Sequence, residues 1–389
     1  IDAEPTSDAK SCAGVAIAFA GFPEGGAGAD CYLRGGWGFG GGGSGNTGGG
    51  GGGGYSGGGG GSNGGGGGGG SFLTGQYTTL HVIKDEGTHT YSSSDGYVDF
   101  GLVDLPPFQS AANTQKCLDL YKGITDNGTN IQLYECTGRS PQQWVLDGVN
   151  IRLFKDMDKC VNLKDGDMDK GLIQLRDCYE DDDKARQYWI YDGFSGAFRS
   201  GKNLDYCLDL ENGSTANDTD VQVVRCTGSN TQQWQMEGAT LVASKSGVKT
   251  IHLASDTDMC LDLYKGDTDN STSEVQLYQC TGRSPQQWVF DGFRIKYNQD
   301  PEKCVNLDAG DTSNGTKIKV RDCYDPDDKA RQHWIYDGAN QTFRSGKNVK
   351  KCLTVVNDEN KEATTFENDL KVKLYDCNGL DAQRWVIED

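Results

Sequence analysis

The chain reads as an all-β protein assembled from repeats. Three observations predict this: six Gln-x-Trp triplets, a pair of cysteines ahead of each, and short alternating apolar runs with no sustained helical period. The triplets are Gln142-Gln143-Trp144, Gln187-Tyr188-Trp189, Gln232-Gln233-Trp234, Gln286-Gln287-Trp288, Gln332-His333-Trp334 and Gln383-Arg384-Trp385. They hold six of the seven tryptophans, which recur every 45 to 54 residues. Each unit opens on Cys-Leu/Val-x-Leu/Val, passes a polar turn, alternates into a second Cys and ends on Gln-x-Trp.

The cysteines obey the same grammar. Twelve of the fourteen fall two per repeat, predicting Cys117–Cys136, Cys160–Cys178, Cys207–Cys226, Cys260–Cys280, Cys304–Cys323 and Cys352–Cys377. Cys12 and Cys31 form a seventh candidate pair. Closing a loop of roughly 20 residues contributes on the order of 3 kcal/mol per bridge. Zinc sites are the competing reading, but there is no Cys-x-x-Cys knuckle and four scattered histidines supply no partners, so no metal is expected. Such cysteine usage belongs to an oxidising, extracellular setting, and Ile1 in place of Met reads as a processed N-terminus. No apolar run approaches the roughly 20 residues of a membrane span. A net charge of −19 argues against nucleic acid and anionic lipid.

Three blocks follow in order. Residues 1–108 carry no Gln-x-Trp, and between Gly35 and Gly70 glycine fills 27 of 36 positions. Without a Cβ, glycine packs backbone against backbone in extended threefold helices that bond to neighbours rather than internally. The tract is therefore read as packed segments, not as a linker. Ser71 to Leu105, with the hairpin-like Ser94-Asp-Gly-Tyr-Val-Asp-Phe-Gly-Leu-Val103, reads as strands closing a small β domain. Residues 109–248 hold three repeats and residues 249–389 three more. Cys117-Leu-Asp-Leu-Tyr-Lys-Gly of repeat one returns at Cys260 in repeat four. Repeats two and five share Asp-Lys-Ala-Arg-Gln-x-Trp-Ile-Tyr-Asp-Gly, so a three-repeat unit was duplicated whole.

Three units with Cys-Leu-Asp, Val-Gln-Leu-x-x-Cys and Gln-x-Trp resemble the ricin B-chain type of β-trefoil lectin, over residues 109–389. The N-terminal block is similar to the glycine-rich modules of anaplastic lymphoma kinase-type receptors and some phage tail fibres. The expected fold is thus two tandem β-trefoils preceded by a small glycine-rich β domain with packed polyglycine II-like segments. One unit cannot bury its own Trp and aliphatic set, whereas three around a pseudo-threefold axis share one core. Gln-x-Trp is then mainly structural, Trp for volume and Gln for hydrogen bonds inside the barrel.

The resemblance implies a sugar site built from an Asp two residues after the first Cys, an aromatic two before the second, and an Asn just before Gln-x-Trp. A carboxylate takes sugar hydroxyls, and a flat ring stacks on the apolar C–H face. Repeat one keeps Asp119 and Tyr134 with Gln142, and repeat four keeps Asp262 and Tyr278 with Gln286. Repeat three pairs Asp209 with Val224; repeats two and five place Asn162 and Asn306 opposite Arg176 and Arg321; repeat six has Thr354 with Tyr375. Pro141, Arg186, Thr231, Pro285, Arg331 and Ala382 occupy the amide position. Two of six sites keep acid and ring, and the competing reading has those residues capping turns and covering the barrel.

Asn-x-Ser/Thr sequons stand at Asn127, Asn212, Asn217, Asn270, Asn314 and Asn340, and several of them are expected to carry glycans. Four lie ten residues after the first Cys of their repeat, and Asn217-Asp-Thr and Asn270-Ser-Thr keep the sequon without a turn glycine. No catalytic constellation or cofactor motif occurs; Gly-x-Gly-x-x-Gly is inevitable in a glycine tract. Asp165, Asp167 and Asp169 resemble a calcium loop loosely, but Lys170 stands where Gly is needed, and solvated turns are the default. The leading expectation is a secreted, non-enzymatic structural or adhesive glycoprotein that self-associates into a polymer or filament through its glycine-rich domain. The alternative is a lectin for galactose-like ligands at the first repeat of each trefoil. A weaker third is the binding portion of a carbohydrate-active enzyme or toxin.

Overall fold

The computed structural model describes residues 107–179, 185–324 and 330–389. The glycine tract, the Cys12–Cys31 pair and the strands expected over 71–105 lie outside these residues. Among the described residues there are 24 strands, four per repeat, linked by turns and short 3₁₀ segments. The first two repeats give β1 (Gln109–Ser110), β2 (Asn113–Leu120), β3 (Ile131–Glu135), β4 (Trp144–Asp147), β5 (Asn150–Leu153), β6 (Asp156–Leu163), β7 (Gly171–Asp177) and β8 (Trp189–Asp192). The third gives β9 (Ala197–Ser200), β10 (Asn203–Leu210), β11 (Thr219–Arg225) and β12 (Trp234–Gln235). The fourth gives β13 (Thr250–Leu253), β14 (Asp256–Leu263), β15 (Val275–Gln279) and β16 (Trp288–Asp291). The last two give β17 (Arg294–Tyr297), β18 (Asp300–Leu307), β19 (Thr316–Asp322), β20 (Trp334–Asp337), β21 (Thr342–Ser345), β22 (Asn348–Val356), β23 (Leu370–Asp376) and β24 (Trp385–Glu388).

Pairing repeats with the same period. The second and third strands of each repeat form a hairpin, such as β2–β3 with Leu118 opposite Leu133 and Leu120 opposite Ile131. The fourth strand pairs with the first of the next repeat, and β12 returns to β1 as β24 returns to β13. Third strands meet around the pseudo-threefold axis, where β11 pairs with β3 and β7 and β23 pairs with β15 and β19. Period-two alternation sends the aliphatic residues of every hairpin inward, giving one core per trefoil. Phe108 sits 3% exposed in the first core. Its ring packs tilted against Phe198, 5.3 Å between centroids.

All six intra-repeat disulfides form, Cys117–Cys136, Cys160–Cys178, Cys207–Cys226, Cys260–Cys280, Cys304–Cys323 and Cys352–Cys377, each tying the second strand of a repeat to the end of its third. Tryptophan fills the core and fixes itself there. The indole N–H of Trp144 donates to Leu118 O at 2.9 Å, Trp189 to Val161, Trp288 to Leu261, Trp334 to Val305 and Trp385 to Leu353.

The two trefoils also share an apolar contact. Val149, Tyr188, Ile190 and Leu204 of the first meet Ile335 and Val349 of the second, with Phe293 packed against them. β8 and β20 are buried at every position, because one face looks into its own barrel and the other across the junction. Gly193 N–H donates to Tyr336 O and Gly338 N–H to Tyr191 O, both at 2.9 Å. A Cβ on Gly193 would come within 2.9 Å of Gly338 Cα, and one on Gly338 within 2.6 Å of Gly193 Cα. Both positions therefore require glycine. Two buried ion pairs flank the junction, Arg199–Asp192 and Arg344–Asp337, each at 2.7 Å. The Arg344 guanidinium reaches across to Gly148 O at 3.1 Å.

Candidate functional site

The β2–β3 hairpin sets the geometry. Cys117 stands opposite Tyr134 and Asp119 opposite Gln132, so all four share the face turned away from the core. Asp119 is nonetheless only 7% exposed. Gln132 Nε2 donates to its Oδ1 at 3.0 Å and Gln142 Nε2 to its Oδ2 at 3.1 Å. Two amides thus hold the carboxylate in one orientation, while an ionised carboxylate has about four acceptor positions, leaving room for further donors. Burial pushes the Asp119 pKa up, donation from Gln132 and Gln142 pulls it down, repulsion from Asp218 raises it, and the net shift is upward from 3.8. Repeat four builds the same arrangement: Asp262 lies opposite Gln276, whose Nε2 donates to it at 2.8 Å, and Cys260 opposite Tyr278. Its pKa is also raised, first by burial and with repulsion from Asp369, against Gln276 and Gln286.

Gln142 and Gln286 are fully buried and serve the fold first. Gln142 Oε1 accepts from Thr137 N–H at 2.7 Å and its Nε2 donates to Glu135 O at 2.8 Å, clamping the chain on both sides of Cys136. Gln286 does the same with Thr281 and Gln279 around Cys280. Equivalent clamps recur in the other four repeats.

In the remaining repeats the acid position keeps the same register but has different chemistry. The amides of Asn162 and Asn306 donate to Leu163 O and Leu307 O at 3.0 Å, and Thr354 donates to Cys352 O. Asp209 accepts from Gln232 alone among side chains, and its Oδ1 is buried without a partner. Repeats one and four are therefore where acid, ring and orienting amides come together. Gln132 and Gln276, and the third-repeat carboxylates Asp218 and Asp369, were not singled out by sequence. The period-two spacing Gln-x-Tyr before the second Cys is the signal that would have found the glutamines.

The sequon asparagines have a structural use. Asn127 Oδ1 accepts from Asp177 N–H at 2.8 Å and its Nδ2 donates to that carboxylate at 2.5 Å, stapling repeat one to repeat two. Asn270 does this with Asp322 and Asn314 with Asp376. Asn217 Oδ1 accepts from Glu135 N–H, and Asn368, which is no sequon, takes Gln279 N–H in the same way. The retained amide without a turn glycine is explained by this staple. Lys159 and then Asn127 hold the exposed Asp177 carboxyl below its usual range. Asn212 occupies a left-handed turn position at φ 54°, which asparagine tolerates. Asn340 differs from the other sequon asparagines in burial: it is 8% exposed, with Nδ2 on Asp337 at 2.9 Å.

Of the loosely calcium-like aspartates, Asp165 lies in a left-handed turn and Asp167 Oδ1 accepts from Asp169 N–H at 3.0 Å. His252 Nδ1 sits 3.5 and 3.4 Å from the sulfurs of Cys260 and Cys280, which are bonded to each other and so are not free to ligate a metal.

The model of the ricin-type β-trefoil lectin domain matches residues 148–249 and 249–385, together more than half of the chain. A second model, ricin-type β-trefoil lectin domain-like, matches residues 107–176. No curated protein matches the chain. Among solved structures, a mosquitocidal holotoxin is similar at 18% identity over 72% of this chain and 33% of its own, TM-score 0.30. The chain thus spans about a third of that protein's length. The agglutinin of Abrus precatorius is similar at 17% identity over 76% of this chain and 99% of its own, TM-score 0.30. A non-toxic homologue of type II RIPs from Momordica charantia, solved with α-methyl-D-galactoside, is similar at 19% identity over 72% and 95%, TM-score 0.30.

Proposed function

We infer the function of a chain that belongs to the ricin-type β-trefoil lectin domain family: it binds carbohydrate, without catalysis, through the first repeat of each trefoil. One observation carries this reading. In repeats one and four a carboxylate shares a hairpin face with a tyrosine ring and is held by amides, two at Asp119 and Gln276 at Asp262, and the other repeats lack the acid and ring together. Asp119 and Asp262 would accept hydroxyl protons, while Tyr134 and Tyr278 would cover the apolar face of a galactose-like ring. Gln142 and Gln286 position the carboxylates. Six disulfides fit an extracellular setting, and no helix among the described residues is long and apolar enough to cross a membrane. The self-association expected from the glycine tract rests on residues outside the described set, and no observation on the trefoils favours it over sugar binding.

A glycan array probed with the full chain and with the Asp119→Asn/Asp262→Asn double variant tests the reading. Binding to galactose-terminated glycans that disappears in a variant of unchanged circular dichroism supports it. No binding at millimolar galactoside, or equal binding by the variant, refutes it.

A further inference from the structure

The two trefoils carry different charge where their third strands converge on the axis. In the first, the positions beside the inward Ile131, Ile173 and Val221 are Asn130, Leu172, Gln174, Asp220 and Gln222, and the Asn130 amide donates to Asp220. The same register positions of the second trefoil, beside Val275, Ile318 and Val372, hold Glu274, Lys317, Lys319, Lys371 and Lys373. Four lysines thus replace an uncharged or acidic set, in a chain of net charge −19.

Their arrangement is unfavourable for folding alone. Lys317 and Lys373 stand directly opposite one another across β19 and β23, a like-charge cross-strand pair that costs stability. One carboxylate answers them: Glu274 Oε1 lies 2.8 Å from Lys317 Nζ and Oε2 lies 3.4 Å from Lys371 Nζ. Lys319 turns aside to Asp308 at 3.3 Å, and Lys373 donates to the neutral amide oxygen of Asn360. Three ammonium groups and Glu274 therefore line a cleft of about 140 Å³, backed by Ile318 and Val372. Three ammonium groups against one carboxylate leave the cleft net positive, and a net-positive cleft concentrates anions.

We propose that this axial cleft of the second trefoil binds an oxyanion, the sulfate or carboxylate group of an acidic glycan, at a site separate from the sugar sites at Asp119 and Asp262. Lys317, Lys371 and Lys373 donate to the anion, whose charge relieves the repulsion between the opposed lysines. The glycan as the source of the anion rests on the lectin reading; the cleft itself does not.

Isothermal titration of the full chain with a sulfated disaccharide, a uronic-acid disaccharide, neutral lactose and inorganic sulfate is the test, at low and physiological salt. An acidic disaccharide should bind with an affinity that falls as salt rises. The Lys317→Gln/Lys373→Gln variant should lose about tenfold or more, the equivalent of a charge-assisted hydrogen bond. That variant relieves the opposed charges but also gives up the exposed Lys317–Glu274 pair, contacts that nearly offset, so unchanged circular dichroism and a melting temperature within a few degrees separate lost binding from lost fold. The Asp119→Asn/Asp262→Asn variant should bind the acidic disaccharide as before while losing lactose, so either reading can fail alone. Binding of inorganic sulfate as tight as the acidic disaccharides overturns the glycan source. No acidic ligand bound, or binding unchanged in the lysine variant, overturns the site.

Discussion

Replacing Gln142 with Met keeps side-chain length and approximate volume while deleting the amide. Besides a longer bond from the Thr137 hydroxyl at 3.2 Å, that amide makes three contacts: acceptance from Thr137 N–H at 2.7 Å and donation to Glu135 O at 2.8 Å and Asp119 Oδ2 at 3.1 Å. Two are neutral bonds of about 1 kcal/mol net each, and the third serves a charged acceptor, about 2 kcal/mol. With Gln142 fully buried, water does not replace them, so the variant should lose about 4 kcal/mol, roughly a thousandfold in the folding equilibrium. The neighbouring Gln143→Met is the control, since its amide makes one long contact, to Gly138 O at 3.5 Å, and should cost under about 0.5 kcal/mol. Urea unfolding of the full chain, followed by tryptophan fluorescence, measures both. A Gln142→Met midpoint close to that of Gln143→Met would refute the clamp, and with it the assignment of Gln-x-Trp to the fold.

Two further outcomes follow from site chemistry. Hydroxyl acceptance requires ionised Asp119 and Asp262, so galactoside affinity should be full above their folded-state pKa and lost as pH falls through it. Burial raises that pKa above 3.8, so a titration of affinity against pH should show its acid midpoint above 3.8, and one below it contradicts the desolvation argument. The same shift acts oppositely on folding: the folded state holds these protons more tightly, so the two groups weaken the fold as pH climbs from 3.8 through the raised value. Peptide mass mapping after enzymatic deglycosylation should find the exposed Asn127 and Asn314 modified and buried Asn340 unmodified; an occupied Asn340 would contradict its packing against Asp337.

Much of the fold was legible because repetition multiplies weak signals. One Cys-Leu-Asp-Leu segment is compatible with many strands, but six in phase with paired cysteines and Trp admit one architecture. Asp119 and Tyr134 were legible for the same reason, and so was the loss of the set at Asn162 and Thr354. The partners of Asp119 were harder to see. Gln132 looks like any polar residue of an alternating strand until the hairpin register places it across from the acid. The junction was hidden in plain text: the Trp-Ile-Tyr-Asp-Gly shared by repeats two and five read as shared ancestry. Its Ile190 and Ile335 occupy positions that face solvent or rim in the other repeats, and Gly193 and Gly338 touch only because two trefoils meet. Sequence periodicity reports which face of a strand is apolar, not that a second domain covers the other.

That junction also governs how the protein meets a surface. Residues on β8 and β20 and the paired glycines lock the trefoils without a free hinge, so Asp119 and Asp262 ride at a fixed separation and angle. On the proposed lectin reading, a ligand with a single terminal sugar would engage one site and leave at that site's rate. A surface whose sugars match the fixed spacing engages both, and the second event becomes intramolecular, raising the net affinity by about 10² to 10⁴ with no new contact. Surfaces with the same sugars at another spacing forfeit that gain, so sugar density and geometry become part of what the molecule discriminates.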